Sequence, residues 1–304
     1  MSAMTILLLG DEQDDHLLHM QRLLEQRAVD VAVINSQWFP QQMALSLDPR
    51  SSRWRIDLPS GRTLCSSDIL SVYWRGYPGV GAADLPDPLQ HFIAQNDARS
   101  LFESFLIQLP ARWVNGWTAF QLHQTKPVQL VRVARLGVRV PATALTNSAA
   151  EVGRFVSQHS GCAFKPVQGG DSTRPVTMES LAQENLKSLR LAPITLQEIV
   201  PGTNIRVFVA GRRVVACEVQ TSRLDYRDDP AAQLLTHDLP PAVVEDCLRI
   251  ARELHLIWTG IDFRLTPDKQ YVFLEANPSP MFIGFESQTG LPLTQLLADL
   301  LLAP

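Results

Sequence analysis

Gly260-Ile-Asp-Phe-Arg-Leu-Thr-Pro-Asp-Lys-Gln-Tyr-Val-Phe-Leu-Glu-Ala-Asn277-Pro278 reads as a β-hairpin that gathers two carboxylates and an amide on one face. The polar tetrad Pro267-Asp268-Lys269-Gln270 has turn composition, and the apolar-rich runs on either side have strand character. A four-residue loop pairs Thr266 with Tyr271 and, continuing outward, Asp262 with Glu275. Directly opposed residues share a face of the ladder. Asn277, two residues past Glu275, points the same way. Three hard oxygen donors on one face suit Mg²⁺, with substrate phosphates completing the shell. The plain alternative is a hairpin with polar residues on its wet face. Against it, like charges directly opposed destabilise a sheet unless a cation lies between them.

At 304 residues the chain is long enough for two or three packed lobes. It is 45% hydrophobic and 19% charged, a globular balance, and its formal net charge of −4 argues against nucleic acid as a partner. Cys65, Cys162, Cys217 and Cys247 show neither a CxxC pair nor histidines at zinc spacing, which predicts buried free thiols in a reducing, cytoplasmic setting. The apolar run near the N-terminus is too short for a signal segment and has no basic residue before it. The Leu-rich stretch 291–302 is too short to span a bilayer and reads as an amphipathic helix, so no membrane is expected as a partner. The seven histidines are dispersed, with surface or core roles.

Residues 5–10, 15–26 and 29–35 read as strand, helix and strand, a βαβ opening to an α/β domain. A hairpin is predicted at 53–58 and 62–65, a strand at 70–74, a Pro/Gly-rich loop at 78–88 and a helix at 89–109. Trp113-Val-Asn-Gly ends a strand, and a new unit begins near Phe120. Helices follow at 126–136 and 149–159, with Gly137 at the first one's stop and an extended stretch at 138–142 after it. Strands are expected at 163–166, 195–199, 205–209 and 214–220, and a helix at 241–254. The fold class is α/β with two further α+β lobes, divided as 1–118, 119–198 and 199–304.

Several residues in this layout carry chemistry. Lys126 opens a helix, and Lys165 sits in the apolar strand Ala-Phe-Lys-Pro. Burying such a lysine is expensive unless it meets an anion or snorkels to water. Arg206, in Asn-Ile-Arg-Val-Phe, poses the same problem. Gly169-Gly170 could bring backbone amides close to phosphates. Gln197-Glu198, at a strand end before Pro-Gly, fits a hinge between lobes. Arg223-Leu-Asp-Tyr-Arg227 is a dense charged cluster. It reads as a solvated loop, or as a clamp on an acidic partner, since arginines form bidentate pairs with carboxylates.

The ordered set Lys126, Lys165-Pro166, Gln197-Glu198, Asn204-x-Arg206 and Asp262…Glu275-x-Asn277-Pro278 resembles the ATP-grasp superfamily near its RimK-type ligases. It resembles more closely the graspetide synthetases of the microviridin type, which crosslink ribosomally made peptides through ω-ester or ω-amide bonds. Trp38-Phe-Pro, Val72-Tyr-Trp-Arg75, Asn115 and Gln129-Leu130 extend the resemblance over nearly the whole chain. It implies an ATP-grasp fold with a pre-ATP-grasp domain in front, and ATP and Mg²⁺ as cofactors. It also implies that Lys126 and Lys165 meet the phosphates, and that Gln197, Glu198, Ile199, Val200 and Asn204 surround the adenine and ribose. Asp262, Glu275 and Asn277 would hold Mg²⁺, and Arg206 would stand beside the γ-phosphate and acyl phosphate, with Arg206 and Lys165 catalytic. Arg75, Arg223, Asp225 and Arg227 are the candidate contacts for an acidic peptide or small carboxylate, and related ligases are dimers or larger, so a homodimer is expected.

Two departures stand out. RimK-type enzymes usually carry aspartate where this chain has Asn204. Graspetide enzymes commonly continue past Asn-Pro with a Gly-Gln-Trp-like run, where this chain has Ser279-Pro-Met-Phe282, next to the expected acceptor pocket. The leading expectation is a ligase that activates a carboxylate as its acyl phosphate and passes it to an amine or hydroxyl of a peptide. A second keeps the chemistry on an amino acid or small metabolite, and a third is a nucleotide-binding scaffold without turnover.

Overall fold

The computed structural model describes residues 4–82, 84–168, 172–221, 223, 226 and 229–303. The first apolar run forms β1 (Thr5–Leu9), buried along its whole length. Asp14 accepts a hydrogen bond from the Leu17 amide (2.9 Å) and so caps α1 (Asp15–Gln26). β2 (Asp30–Ile34) lies parallel to β1. β3 (Ala44–Asp48), β4 (Arg53–Asp57) and β5 (Thr63–Cys65) form a small antiparallel sheet, so the expected hairpin gains a third strand. β6 (Ile69–Trp74), α2 (Pro88–Gln108) and β7 (Arg112–Val114) complete a parallel sheet ordered β2-β1-β6-β7.

α3 (Trp117–Gln124) and α4 (Lys126–Arg135) follow. Gly137, at φ 80°, ends the second of them in the left-handed conformation that glycine adopts at little cost. Next come β8 (Thr143–Thr146), α5 (Ala149–Gln158), β9 (Cys162–Pro166), β10 (Arg174–Pro175), α6 (Gln183–Lys187) and β11 (Ile194–Glu198). Their strands make an antiparallel sheet ordered β10-β9-β11-β8. The largest sheet, β14-β13-β12-β15-β16, is antiparallel throughout. It is built from β12 (Thr203–Ala210), β13 (Arg213–Gln220), β14 (Gln233–His237), β15 (Trp258–Leu265) and β16 (Tyr271–Asn277), with α7 (Pro241–Glu253) between β14 and β15. α8 (Ile283–Thr289) and α9 (Leu293–Leu302) come last.

The large sheet buries both faces. On one, Ile205, Val207, Val209, Ile261, Phe263 and Phe273 pack with Cys247, Ile250 and Ala251 of α7, and with Ala119 and Val133 of α3 and α4. On the other, Phe208, Cys217 and Trp258 join Phe285 and Leu297 of α8 and α9. That same core takes in Leu8, Leu17, Met20 and Tyr73 from the parallel sheet and α1. The N-terminal sheet and the large sheet therefore share one hydrophobic core. The lobe from β8 to β11 has its own, around Val152, Phe155, Cys162, Leu189 and Leu196.

One expectation is corrected. Cys65 is exposed, because β5 turns residues 63 and 65 outward and only Leu64 inward; the other three cysteines are buried. Residues 138–142 run outside the strands, and the Arg139 carbonyl accepts a hydrogen bond from the Phe273 amide (2.8 Å) and so partly covers the outer edge of β16.

Candidate active site

The β15–β16 hairpin brings its acidic residues together by a different route from the one its turn composition suggests. Thr266 closes the loop: its amide donates to the Gln270 carbonyl (2.9 Å), and its hydroxyl accepts from the Gln270 amide (2.9 Å). Leu265 then pairs with Tyr271, one position earlier than expected, which on its own would set Asp262 opposite Leu274. A bulge at Leu274, between the pairs Phe263↔Phe273 and Asp262↔Glu275, absorbs the extra residue. Asp262 and Glu275 therefore stand opposed as expected, and Gly260 opposes Asn277.

Across β15, Arg206 opposes Asp262, so Arg206, Asp262 and Glu275 form one row over three strands. The Arg206 Nη1 donates to Asp262 Oδ2 at 2.6 Å. Lys126, reaching in from α4, donates through Nζ to Glu275 Oε2 at 3.0 Å. Arg206 is 4% exposed, its guanidinium lying over the rings of Phe208 (5.6 Å) and Phe285 (5.7 Å). Burial works against its charge, but Asp262 and the nearby Tyr226 and Glu275 outweigh that and raise its pKa. For Glu275, burial pushes the carboxyl up, yet Lys126, Lys165 and Arg206 hold it well below the usual range. Gly260 makes room for this row: a Cβ there would lie 2.8 Å from the Arg206 guanidinium carbon and 2.8 Å from Pro280 Cβ.

Two buried amide side chains fix the strand that carries Glu275 and Asn277. Gln129 Nε2 donates to the Ala276 carbonyl (3.1 Å), and its Oε1 accepts from the Ala276 amide (3.2 Å). Asn115 donates to the carbonyls of Trp258 and Pro278 (both 2.7 Å) and accepts from the amides of Ile257 (2.7 Å) and Trp258 (3.1 Å). Sequence reading named both residues only through resemblance, since hydrogen bonds across more than 140 positions leave no local signature.

A narrow cleft of about 20 Å³ is lined by Lys126, Lys165, Thr195 and Glu275, so both lysines face the Glu275 end of the row. At the hinge, Glu198 accepts from the Ala142 amide (2.9 Å), its own amide donates to the Ala142 carbonyl (3.0 Å), and the Ile199 amide donates to Gly161 (2.9 Å). Gln197 is buried and donates to Thr143 Oγ1 (3.2 Å). Arg264 holds the next turn, a task not anticipated. Its Nε donates to the Val200 carbonyl (3.1 Å), Nη1 to Asn204 Oδ1 (2.9 Å) and Nη2 to the Gly202 carbonyl. A second charged residue two positions from Asp262, on the same strand face, was the available signal.

Arg75 is separate from this row. It donates through Nε to both Asp14 oxygens (3.0 and 3.1 Å) and through Nη1 to the Ser279 carbonyl (2.6 Å), anchoring the segment after Asn277 to the N-terminal sheet. Arg223 is exposed, while Asp225, Arg227 and Gly169-Gly170 lie outside the described residues. Among the described residues no group of three or more His, Cys, Asp or Glu could hold a metal ion. Two carboxylates and one amide are instead the sparse oxygen set that fits Mg²⁺ shared with phosphates.

Residues 124–301 match the RimK-like ATP-grasp domain. This chain belongs to that family. The ligase resembles the ATP-grasp ligase PsnB, solved with a phosphomimetic variant of a minimal precursor, Mg and ADP, at 27% identity over 100% of this chain and 99% of that one, TM-score 0.86. It shares its fold with the macrocyclase MdnC of Microcystis aeruginosa MRC, solved with precursor peptide MdnA (22% identity, 99% and 100% covered, TM-score 0.86). The fold also recurs in a RiPP-associated ATP-grasp ligase of Chryseobacterium gregarium, solved with ADP and a leader and core peptide (22% identity, 98% and 96% covered, TM-score 0.84). No curated protein matches the chain. The expected ATP-grasp fold, with RimK-type kinship and neighbours among peptide-modifying ligases, is met, and the ligase uses ATP and Mg²⁺. Among the described residues no helix is long and apolar enough to cross a membrane.

Proposed function

We propose that the ligase activates a side-chain carboxylate of a ribosomally made precursor peptide as its acyl phosphate and joins it to an amine or hydroxyl of that peptide. The observation that carries this reading is the row Arg206–Asp262–Glu275, with Lys126 on its end and Asn277 beside it. The similarity to PsnB over the full length of both chains supports the peptide as substrate. Asp262, Glu275 and Asn277 would hold Mg²⁺, which offsets phosphate charge when bound. Lys126 and Lys165, on separate lobes, bind the phosphates from two sides. Arg206 keeps its proton throughout and stabilises negative charge as the carboxylate is phosphorylated and then attacked. Gln197, Glu198, Ile199, Val200 and Asn204 frame the adenine and ribose.

The peptide is acidic in this reading, met by Arg223 and Arg227. The enzyme works in the cytoplasm as a homodimer, for which the exposed Leu89, Phe92 and Ile93 of α2 offer an apolar patch. Co-expression with a short Asp/Glu-rich peptide gene lying beside this one tests the proposal. A mass loss of one water per crosslink is expected, and an unchanged mass refutes the peptide assignment. If Glu275→Ala keeps full turnover, the metal assignment falls.

A further inference from the structure

A cavity of about 510 Å³ adjoins Asn277 on the side facing the N-terminal domain. It sits at the carboxyl ends of β1, β6 and β7, where parallel sheets place their ligand crevices. One wall is aromatic: Trp74 stacks on Phe120 with centroids 4.8 Å apart, and Tyr77 meets Phe120 edge-on at 5.9 Å. The other carries Asp11, Asp14 and Arg75. Asp14 and Arg75 neutralise each other through two hydrogen bonds. Asp11 is exposed, and its Oδ1 accepts from the Gln13 amide (2.9 Å) within its own loop. Among the described residues it forms no ion pair, so it leaves this wall with an unbalanced negative charge.

We infer that this cavity seats the attacking nucleophile of the ligation, and that the nucleophile is a primary amine delivered as an ammonium, such as a lysine side chain. A carboxylate without a paired cation on a cavity wall attracts an ammonium and gives a hydroxyl no comparable advantage. Asn277 lies on the cavity wall, so a group held there is next to the row where the carboxylate is activated. The inference rests on the ligase reading and adds the class of acceptor. The ammonium gives one proton to water, the resulting amine attacks the acyl carbon, and its nitrogen sheds a second proton to the departing phosphate. The C–N bond forms, the bond from that carbon to the phosphate oxygen breaks, and the pair leaves with inorganic phosphate. Overall, carboxylate, ammonium and ATP become amide, ADP, phosphate and one proton.

The test uses the full-length protein with Mg²⁺ and a non-hydrolysable ATP analogue. Binding of Nα-acetyl-lysine methylamide is compared with its threonine and norleucine counterparts by calorimetry. The lysine derivative should bind tightest, and Asp11→Asn should weaken it about tenfold while Asp11→Glu restores part of the loss. Affinity for the ATP analogue should be unchanged in both variants, which reports that they are folded. Equal or undetectable binding of the three derivatives, or indifference to Asp11→Asn, overturns the inference. ADP release with a carboxylate peptide and hydroxylamine as acceptor is scored separately. Its absence would sink the ligase reading, whereas its presence without lysine selectivity would sink only the amine assignment.

Discussion

Gln129 holds the residue between two of the candidate metal ligands, and replacing it with leucine separates that support from the ligands themselves. Gln129 is 3% exposed and supplies both a donor and an acceptor to Ala276 on the outer edge of β16. Leucine has nearly the same bulk and makes neither bond. A buried amide and a buried carbonyl are then left unpaired, at about 1–3 kcal/mol each, so the loss is about 3 kcal/mol after local relaxation. For a chain of this size that lowers the melting temperature by about 5 °C. Because Glu275 and Asn277 flank Ala276, the Mg²⁺ concentration needed for half-maximal ATP turnover should rise about tenfold even below the melting transition. Thermal melts together with a Mg²⁺ titration of ADP release measure both effects. A melting temperature within about 2 °C of the parent and an unchanged Mg²⁺ dependence would refute the reasoning.

Other outcomes follow from the same geometry. Arg206→Met removes the guanidinium partner of the largely buried Asp262 and should cost about 3 kcal/mol, whereas Arg206→Met with Asp262→Asn should recover part of it in denaturant melts; no recovery would mean the pair is not coupled. Arg264→Met releases the Val200–Asn204 turn and should raise KM for ATP about tenfold with little change in kcat, while a pure loss of kcat would point elsewhere. Burial holds His16 down to about 4, so between its ordinary value of 6.5 and that point the unfolded chain binds a proton that the folded protein refuses. Stability contributed at neutral pH is thus lost as pH falls through this window. Discounted for solvent screening, the loss is about 1–2 kcal/mol. His16→Gln should be less sensitive than the parent between pH 7.5 and 4.5, and parallel curves would reject this account.

The strand and helix order was largely readable because most elements announce themselves locally: Asp14 before α1, Gly137 after α4, the apolar runs of β12 and β13. β14 escaped because it is an edge strand with scattered exposure and no alternation, and α8 because it is short and follows Pro280. The opposition of Asp262 and Glu275 was anticipated correctly through a turn one residue too short, with the bulge at Leu274 making up the difference. Loop length and bulges trade off against each other, and composition constrains only their sum. Gln129 and the Asp14–Arg75 pair act across contacts between distant segments, which no local pattern records, while the charge of Arg264 two residues after Asp262 was visible and only its partners were not.

Lys126 belongs to the body made by the shared core of the N-terminal and large sheets, whereas Lys165 rides on the small lobe with its separate core. In the proposed site, a triphosphate gripped by both would be a latch between two separately packed cores, fastened by charge rather than by buried surface. Its hold should loosen with ionic strength much faster than either body loses its fold. Nucleotide affinity in this ligase is then also a measure of how firmly the two bodies are shut.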